Sequence, residues 1–175
     1  MGTADLIAVR SRVQAGGFES FMDSHRARLV QVLTMISLDR EAAADAAQEA
    51  FIQLFLHWDN IGEYRDPVAW LYRVGINRCK DYRRFMSRTA RVVERLGAAQ
   101  ERHAEEDELV EWDPDPGFAS VYRSLPKRQR TAATLYYLND LSVQEIARIM
   151  DISEGAVNSH LHRAREALKG LVEAG

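Results

Sequence analysis

Two runs of basic and amide side chains recur at helical spacing along this sequence, and their chemistry is that of nucleic-acid recognition rather than bond making. In "SEGAVNSHLHRAREALKG", Asn158, Ser159 and His162 are short or planar hydrogen-bonding groups near the start of a helix, suited to base edges. Arg163, Arg165 and Lys169 follow further along, where phosphates are expected. Ser153, Glu154 and Gly155 open that helix, and the glycine lets the backbone approach DNA. The second run is Arg73, Asn77, Lys80, Arg84 and Arg88, a basic ribbon with Asp81 at its margin. Such a ribbon follows a phosphate backbone and binds with strong salt dependence, because each contact releases counterions. Trp70 at its head and Tyr64 just before it are aromatic surfaces of the kind that stack on unpaired bases, although Trp70 fits a core position equally well.

The elements that must hold these groups are helices. Ser142 and Glu145 fit a capping box, so a helix starts at Val143, with Ile146, Ala147 and Met150 on its core side. Ser153 caps a second helix, on which Val157, Leu161, Ala164 and Leu168 form one stripe to be buried. The short connection "DIS" sets the pair at the steep angle of a helix-turn-helix, whose second helix fits the major groove. The basic ribbon rides on a helix capped by Asp66 with Pro67 in the first position, and Val68, Leu71, Gly75, Cys79, Tyr82 and Met86 trace its apolar side. A third face, in "DAAQEAFIQLFLHW", gathers Asp45, Gln48, Glu49, Ile52 and Gln53, while Ala47, Phe51, Leu54, Phe55 and Trp58 supply the apolar body. This side repels DNA; it fits a protein partner with basic side chains, or plain solvent.

Helical periodicity over Phe18 to Met35, Arg40 to Trp58, Asp66 to Arg88 and Ser120 to Leu138, without an alternating strand, predicts an all-α chain. With 23 Lys and Arg against 26 Asp and Glu, the net charge of −3 argues against nucleic-acid binding unless the acid is segregated. It is: "ERHAEEDELVEWDPDPG", from Glu101 to Gly117, reads as an acidic, flexible linker. The expected organisation is a helical domain over 1–92, a linker over 93–117 and a second helical domain over 118–175. The lone Cys79 is a small core residue, and neither a metal-ligand spacing nor a phosphate-binding glycine loop is present, so no enzyme, metal or cofactor is expected. The absence of a long apolar run or leader makes a cytoplasmic protein, with no membrane insertion, the expectation.

Four stretches together carry a family resemblance: "DAAQEAF", the opening of "DPVAWLYRVGINRCKDYRR", "LPKRQR" and "LSVQEIARIMDISEGAVNSHLHRAREAL". In that order and spacing they resemble regions two and four of the extracytoplasmic-function sigma factors of bacterial RNA polymerase. The resemblance implies a non-enzymatic subunit that binds core polymerase, through the β′ clamp helices and the β flap, and directs it to promoters. Asp45, Gln48, Glu49, Phe51, Ile52 and Gln53 would then grip the clamp helices. The segment carrying Asn60, Tyr64 and Arg65 would capture a flipped base of the minus-10 element, with Trp70 and the ribbon beside it holding the melting strand. Ser153 to Lys169 would lie in the major groove of the minus-35 element. An anti-sigma factor is the implied regulator. Asn158 and His160 stand where many relatives have Lys or Arg, which leaves the minus-35 sequence open. A stand-alone helix-turn-helix regulator of duplex operators accounts for Ser142 to Leu168, but for neither the ribbon nor the acidic face.

Overall fold

A computed structural model describes residues 3–61, 66–95 and 116–172, with side chains over 17–58, 60, 66–81 and 119–170. Tyr64, Arg65 and the centre of the expected linker, 96–115, lie outside the described residues, as do the side chains of Arg84 and Arg88. All regular structure among the described residues is helical, and no helix there is long and apolar enough to cross a membrane.

The first unit is built on α1 (Thr3–Ser37), α2 (Arg40–Leu56) and α4 (Pro67–Arg95), with α3 (Trp58–Ile61) a single turn between them. α1 ends where Leu38 turns into the left-handed region, with φ of 59°, and Asp39 at once caps α2 by accepting a hydrogen bond from the Ala42 amide at 2.9 Å. So short a link makes α1 and α2 an antiparallel hairpin. α2 buries Ala42, Ala43, Ala46, Ala47 and Ala50, whose small side chains let neighbouring backbones come close. α4 approaches α1 closely at Gly75, where a Cβ would stand 2.9 Å from Leu33 Cδ1. Its cap forms as expected: the Asp66 carboxylate accepts from the Ala69 amide at 2.9 Å.

The second unit holds α5 (Pro116–Ser124), α6 (Lys127–Ala133), α7 (Val143–Met150) and α8 (Glu154–Val172). The helix expected over Ser120 to Leu138 is in fact broken at Leu125–Pro126, because proline lacks the donor that would continue the ladder and drives the preceding residue extended. Past Ala133 the chain widens into a π-helical stretch, Thr134–Leu138. Helix α4 runs to Arg95 and α5 opens at Pro116, so helix reaches three and two residues into the stretch 93–117 expected as linker.

The units pack against one another around a shared core: Leu29, Val32 and Leu33 of α1 join the same apolar cluster as Leu135, Ile146 and Ile149. Polar contacts cross the seam too. Arg28 donates to Asn139 Oδ1 at 2.6 Å and to the Leu138 carbonyl. Arg130 is buried and donates to the Ile36 carbonyl, in the last turn of α1, and to the carbonyls of Arg123 and Leu125, each at 3.1 Å. One guanidinium thereby satisfies helix-end carbonyls that would otherwise lack donors on both sides of the seam.

Candidate nucleic-acid interface

The helix-turn-helix forms from its caps. Ser142 Oγ accepts from the Glu145 amide at 3.3 Å while the Glu145 carboxylate accepts from the Ser142 amide at 2.7 Å, closing the expected capping box. The Ser142 hydroxyl, donating to the same carboxylate at 2.7 Å, and then the Ser142 amide favour the ionised form and hold the pKa of Glu145 below its usual value. α7 ends at Asp151, left-handed at φ of 56°, a conformation that Asp tolerates better than most residues. The Ser153 hydroxyl then accepts from the Ala156 amide at 3.2 Å to start α8. Val157, Leu161 and Ala164 are buried and Leu168 is half-buried, as the stripe requires; Ile149 joins the core of α7 as well.

With the stripe inward, Ser153, Glu154, Gly155, Asn158, Ser159, His162, Arg163, Arg165 and Lys169 are all exposed. Not all are equally placed. The Ser159 hydroxyl donates back to the Gly155 carbonyl at 2.9 Å and keeps its lone pairs outward. Arg165 lies over Tyr136 and Tyr137, 5.8 and 5.9 Å from the ring centroids, and donates to the Tyr137 hydroxyl of the π-helical stretch. Lys169 pairs with Glu166 at 3.3 Å. His160 is half-buried, and its Nδ1 is buried without a hydrogen-bond partner; burial, then the charges of Arg128 and Arg163, push its pKa down and favour the neutral ring.

On α4, Arg73, Asn77 and Lys80 form the exposed ribbon, with Lys80 donating to Asn77 Oδ1 at 3.2 Å and Asp81 exposed at the edge. Trp70 is half-buried against the core margin, its ring 6.5 Å from that of His57. Asn60 is exposed at the end of α3. The head of the ribbon is occupied: Arg73 pairs with Asp151 at 2.9 Å, and Asp66 with Arg148 at 3.3 Å.

The outer face of α2 carries Asp45 and Gln48, exposed, and Glu49, which accepts from Gln53 at 3.1 Å and pairs with Arg78 at 3.5 Å. Ile52, Phe55 and Leu56 are 46, 56 and 66% exposed. Two expectations are corrected on this helix. Phe51 is buried, edge-on to Phe18, and acts on the face from beneath; Phe55, expected in the body, stands mostly outside it. The side of α2 that faces the bundle carries Phe51 and Leu54 together with its alanines, while Ile52, Phe55 and Leu56 stay exposed.

Sequence patterning passed over Arg28, Arg130, Arg148, Asp151 and Tyr72, the groups along the seam. Tyr72 is buried, makes a side-chain hydrogen bond with Asn139, and has its pKa raised by that burial.

Residues 21–89 match the family described as Sigma-70 region 2, and residues 120–168 match Sigma-70, region 4. The chain is 34% identical over 139 residues to an ECF RNA polymerase sigma-E factor of Escherichia coli K12, covering 74% of this chain and 73% of that protein. It is 29% identical over 143 residues to the ECF RNA polymerase sigma factor SigM of Bacillus subtilis, covering 82 and 87%. Its fold is similar to that of the sigma factor RpoE solved in complex with the anti-sigma factor NepR from Bartonella quintana, with a TM-score of 0.65 and 21% identity over 90% of this chain and 97% of that one. CnrH, solved with the cytosolic domain of CnrY, gives a TM-score of 0.62 at 22% identity, covering 94% of each chain.

Proposed function

Because the chain belongs to the extracytoplasmic-function RNA polymerase sigma factors, we propose that it joins core polymerase through the outer face of α2 and places two DNA-binding surfaces on a promoter. The observation that carries this reading is the pairing, on one chain, of an exposed basic ribbon on α4 with a capped helix-turn-helix whose second helix exposes amide, hydroxyl and imidazole groups. Asp45, Gln48, Glu49, Ile52 and Gln53 meet the clamp helices of the largest subunit, with Phe51 supporting them from below. The acid steers a basic partner, and the apolar groups beside it supply area to bury.

The segment from Asn60 to Pro67 receives a base flipped from the minus-10 element. Extruding it costs unstacking energy, which Trp70 and the cations of Arg73 and Lys80 offset by stacking and by holding the displaced strand. α8 reads the minus-35 element through Asn158, Ser159 and His162, while Arg163 holds a phosphate. No step makes or breaks a covalent bond in the chain's own chemistry; it acts as a selector, in the cytoplasm where the polymerase works. A polypeptide anti-sigma factor is its regulator, as NepR is the anti-sigma factor in the RpoE complex.

Run-off transcription from a genomic library with purified core polymerase tests the reading. Discrete new start sites are expected with the chain present, and their loss with Asp45→Ala/Glu49→Ala. A chain that neither binds core nor creates starts refutes it and leaves the operator-binding regulator, which gives no role to the acidic face of α2.

A further inference from the structure

We propose that Arg78 is a positioning residue of the polymerase-docking face: from α4 it fixes the Glu49 carboxylate on α2, so that one oxygen is filled and the other is presented to a cation of the partner. The inference rests on the docking reading above. Gln53 Nε2 donates to Glu49 Oε1 at 3.1 Å, and the Arg78 guanidinium lies 3.5 Å from that same Oε1. A carboxylate oxygen has two lone pairs, so the two contacts occupy Oε1 and set the rotation of the group. Glu49 Oε2 accepts no hydrogen bond among the described residues. Asp45, exposed on the same face, has neither a hydrogen bond nor an ion pair among them, so the face carries one loose carboxylate and one anchored carboxylate. The side chains of Arg78 and Glu49 are 45 and 40% exposed, which leaves the anchored group within a partner's reach.

The charge of Arg78 is directed to α2 and away from DNA. With 3.6 residues per turn, Arg78 stands at least about 100° round α4 from Arg73, Asn77 and Lys80, so a strand that follows the ribbon passes it by. The filled oxygen also selects the contact. A two-pronged arginine–carboxylate fork needs both oxygens, and with Oε1 occupied a single N–H of a partner lysine or arginine meets Oε2. Ile52, one turn further along α2, is 46% exposed; covering it removes water from around that contact and strengthens it. Ordering one long side chain on association lowers affinity by about two- to ten-fold. Arg78 and Gln53 supply that order before the partner arrives. Arg78 also subtracts from the negative charge of the face, which slows encounter with a basic partner. The two effects therefore fall on different rate constants: the cation lengthens the life of the complex and does not speed its formation.

The test uses the full-length protein and purified core polymerase, with association and dissociation followed by surface plasmon resonance. Arg78→Ala is expected to raise the dissociation rate by about two- to ten-fold, with association unchanged or faster. Arg78→Lys keeps a charge that can reach Oε1 and is expected to lie closer to wild type than to alanine. In a Glu49→Ala background, Arg78→Ala is expected to change nothing further, because it acts through the carboxylate. The urea midpoint of Arg78→Ala and its affinity for a single-stranded oligothymidine are expected to stay at wild-type values. Dissociation that is unchanged or slower in Arg78→Ala, a lysine variant no better than alanine, or an equal loss without Glu49 overturns the positioning role. So does a lowered urea midpoint or weakened oligothymidine binding. Asp45→Ala separates this from the docking reading: if it weakens core binding while Arg78→Ala does not, docking stands and Arg78 has no part in it. A wild type that fails to bind core removes both.

Discussion

Arg130→Met replaces a buried guanidinium with a side chain of similar length and no donors. In the native chain that group bonds the carbonyls of Ile36, Arg123 and Leu125, each at 3.1 Å, and it is 4% exposed. Each carbonyl stranded in the interior costs about 1–3 kcal/mol. Against that loss, methionine removes the desolvation penalty of a buried cation, itself several kcal/mol. The balance is a net destabilisation of about 2–4 kcal/mol, or about 5–15 °C in Tm for a chain of this size. Arg130→Lys separates the two contributions. An ammonium keeps the buried charge but, as a single nitrogen, does not serve Ile36 on one side of the seam and the α5–α6 turn on the other. Lysine is therefore expected to be no better than methionine, although it preserves the charge. Urea titration followed by circular dichroism reads both variants. Methionine within about 0.5 kcal/mol of wild type, a change typical of ordinary surface positions, refutes the reasoning; so does a lysine variant of native stability.

Gly75→Val is expected to cost about 1–3 kcal/mol by urea titration, because its branches would press on Leu33 Cδ1 and on Leu29 Cδ1, 2.9 and 3.5 Å from a Cβ at that position; Gly75→Ala loses less, since better helix propensity offsets the crowding. His160 titrates below its ordinary value when folded, so on acidification the unfolded chain takes up the proton first; stability is lost as the pH falls below about 6.5 towards the folded pKa, and urea midpoints at pH 7.5 and 5.5 should differ less in His160→Gln than in wild type. Asn158→Ala should relax preference at one base pair of the minus-35 element, at about 1–3 kcal/mol, measured by competition among single-base variants. Arg163→Ala should instead weaken all sequences alike and reduce the slope of log K against log salt by about 0.9.

Features written locally in the chain were legible in advance. The capping box of Ser142 and Glu145, the caps at Asp66 and Ser153, and the stripe of Val157, Leu161 and Ala164 each lie within one or two turns, and the structure forms all of them. The seam was not legible. Arg148 and Asp151 read as ordinary solvated charges on their own helix, and nothing near them in sequence points to Asp66 or Arg73, 82 and 78 positions away. Arg130 was visible only as one member of "LPKRQR", because its partner Ile36 lies 94 residues upstream. The break at Pro126 had a clear local signal, yet apolar spacing on both sides of the proline imitated one continuous helix.

The two-sided build of α2 was the other hidden feature, and it follows from what the helix must do twice over. An amphipathic helix ordinarily turns its largest apolar residues inward, where each buried square ångström is worth about 25 cal/mol. α2 does so with Phe51 and Leu54 but fills the rest of its inner side with alanines, and it leaves Ile52, Phe55 and Leu56 about half exposed or more. Alanine contacts recover less area per residue, but they let α2 lie close to α1 and α4, so that rigid backbone, not long side chains, sets the position of its outer face. The large residues then remain available for a partner, and Asp45, Gln48 and Glu49 on the same helix keep so apolar a face hydrated until it is covered. A size-based reading placed Phe55 in the core because it assumed that one hydrophobic side means one buried side. Here the helix has two apolar surfaces: a tight one that completes the fold, and a loose one that stays exposed and that the proposed function assigns to assembly with the polymerase.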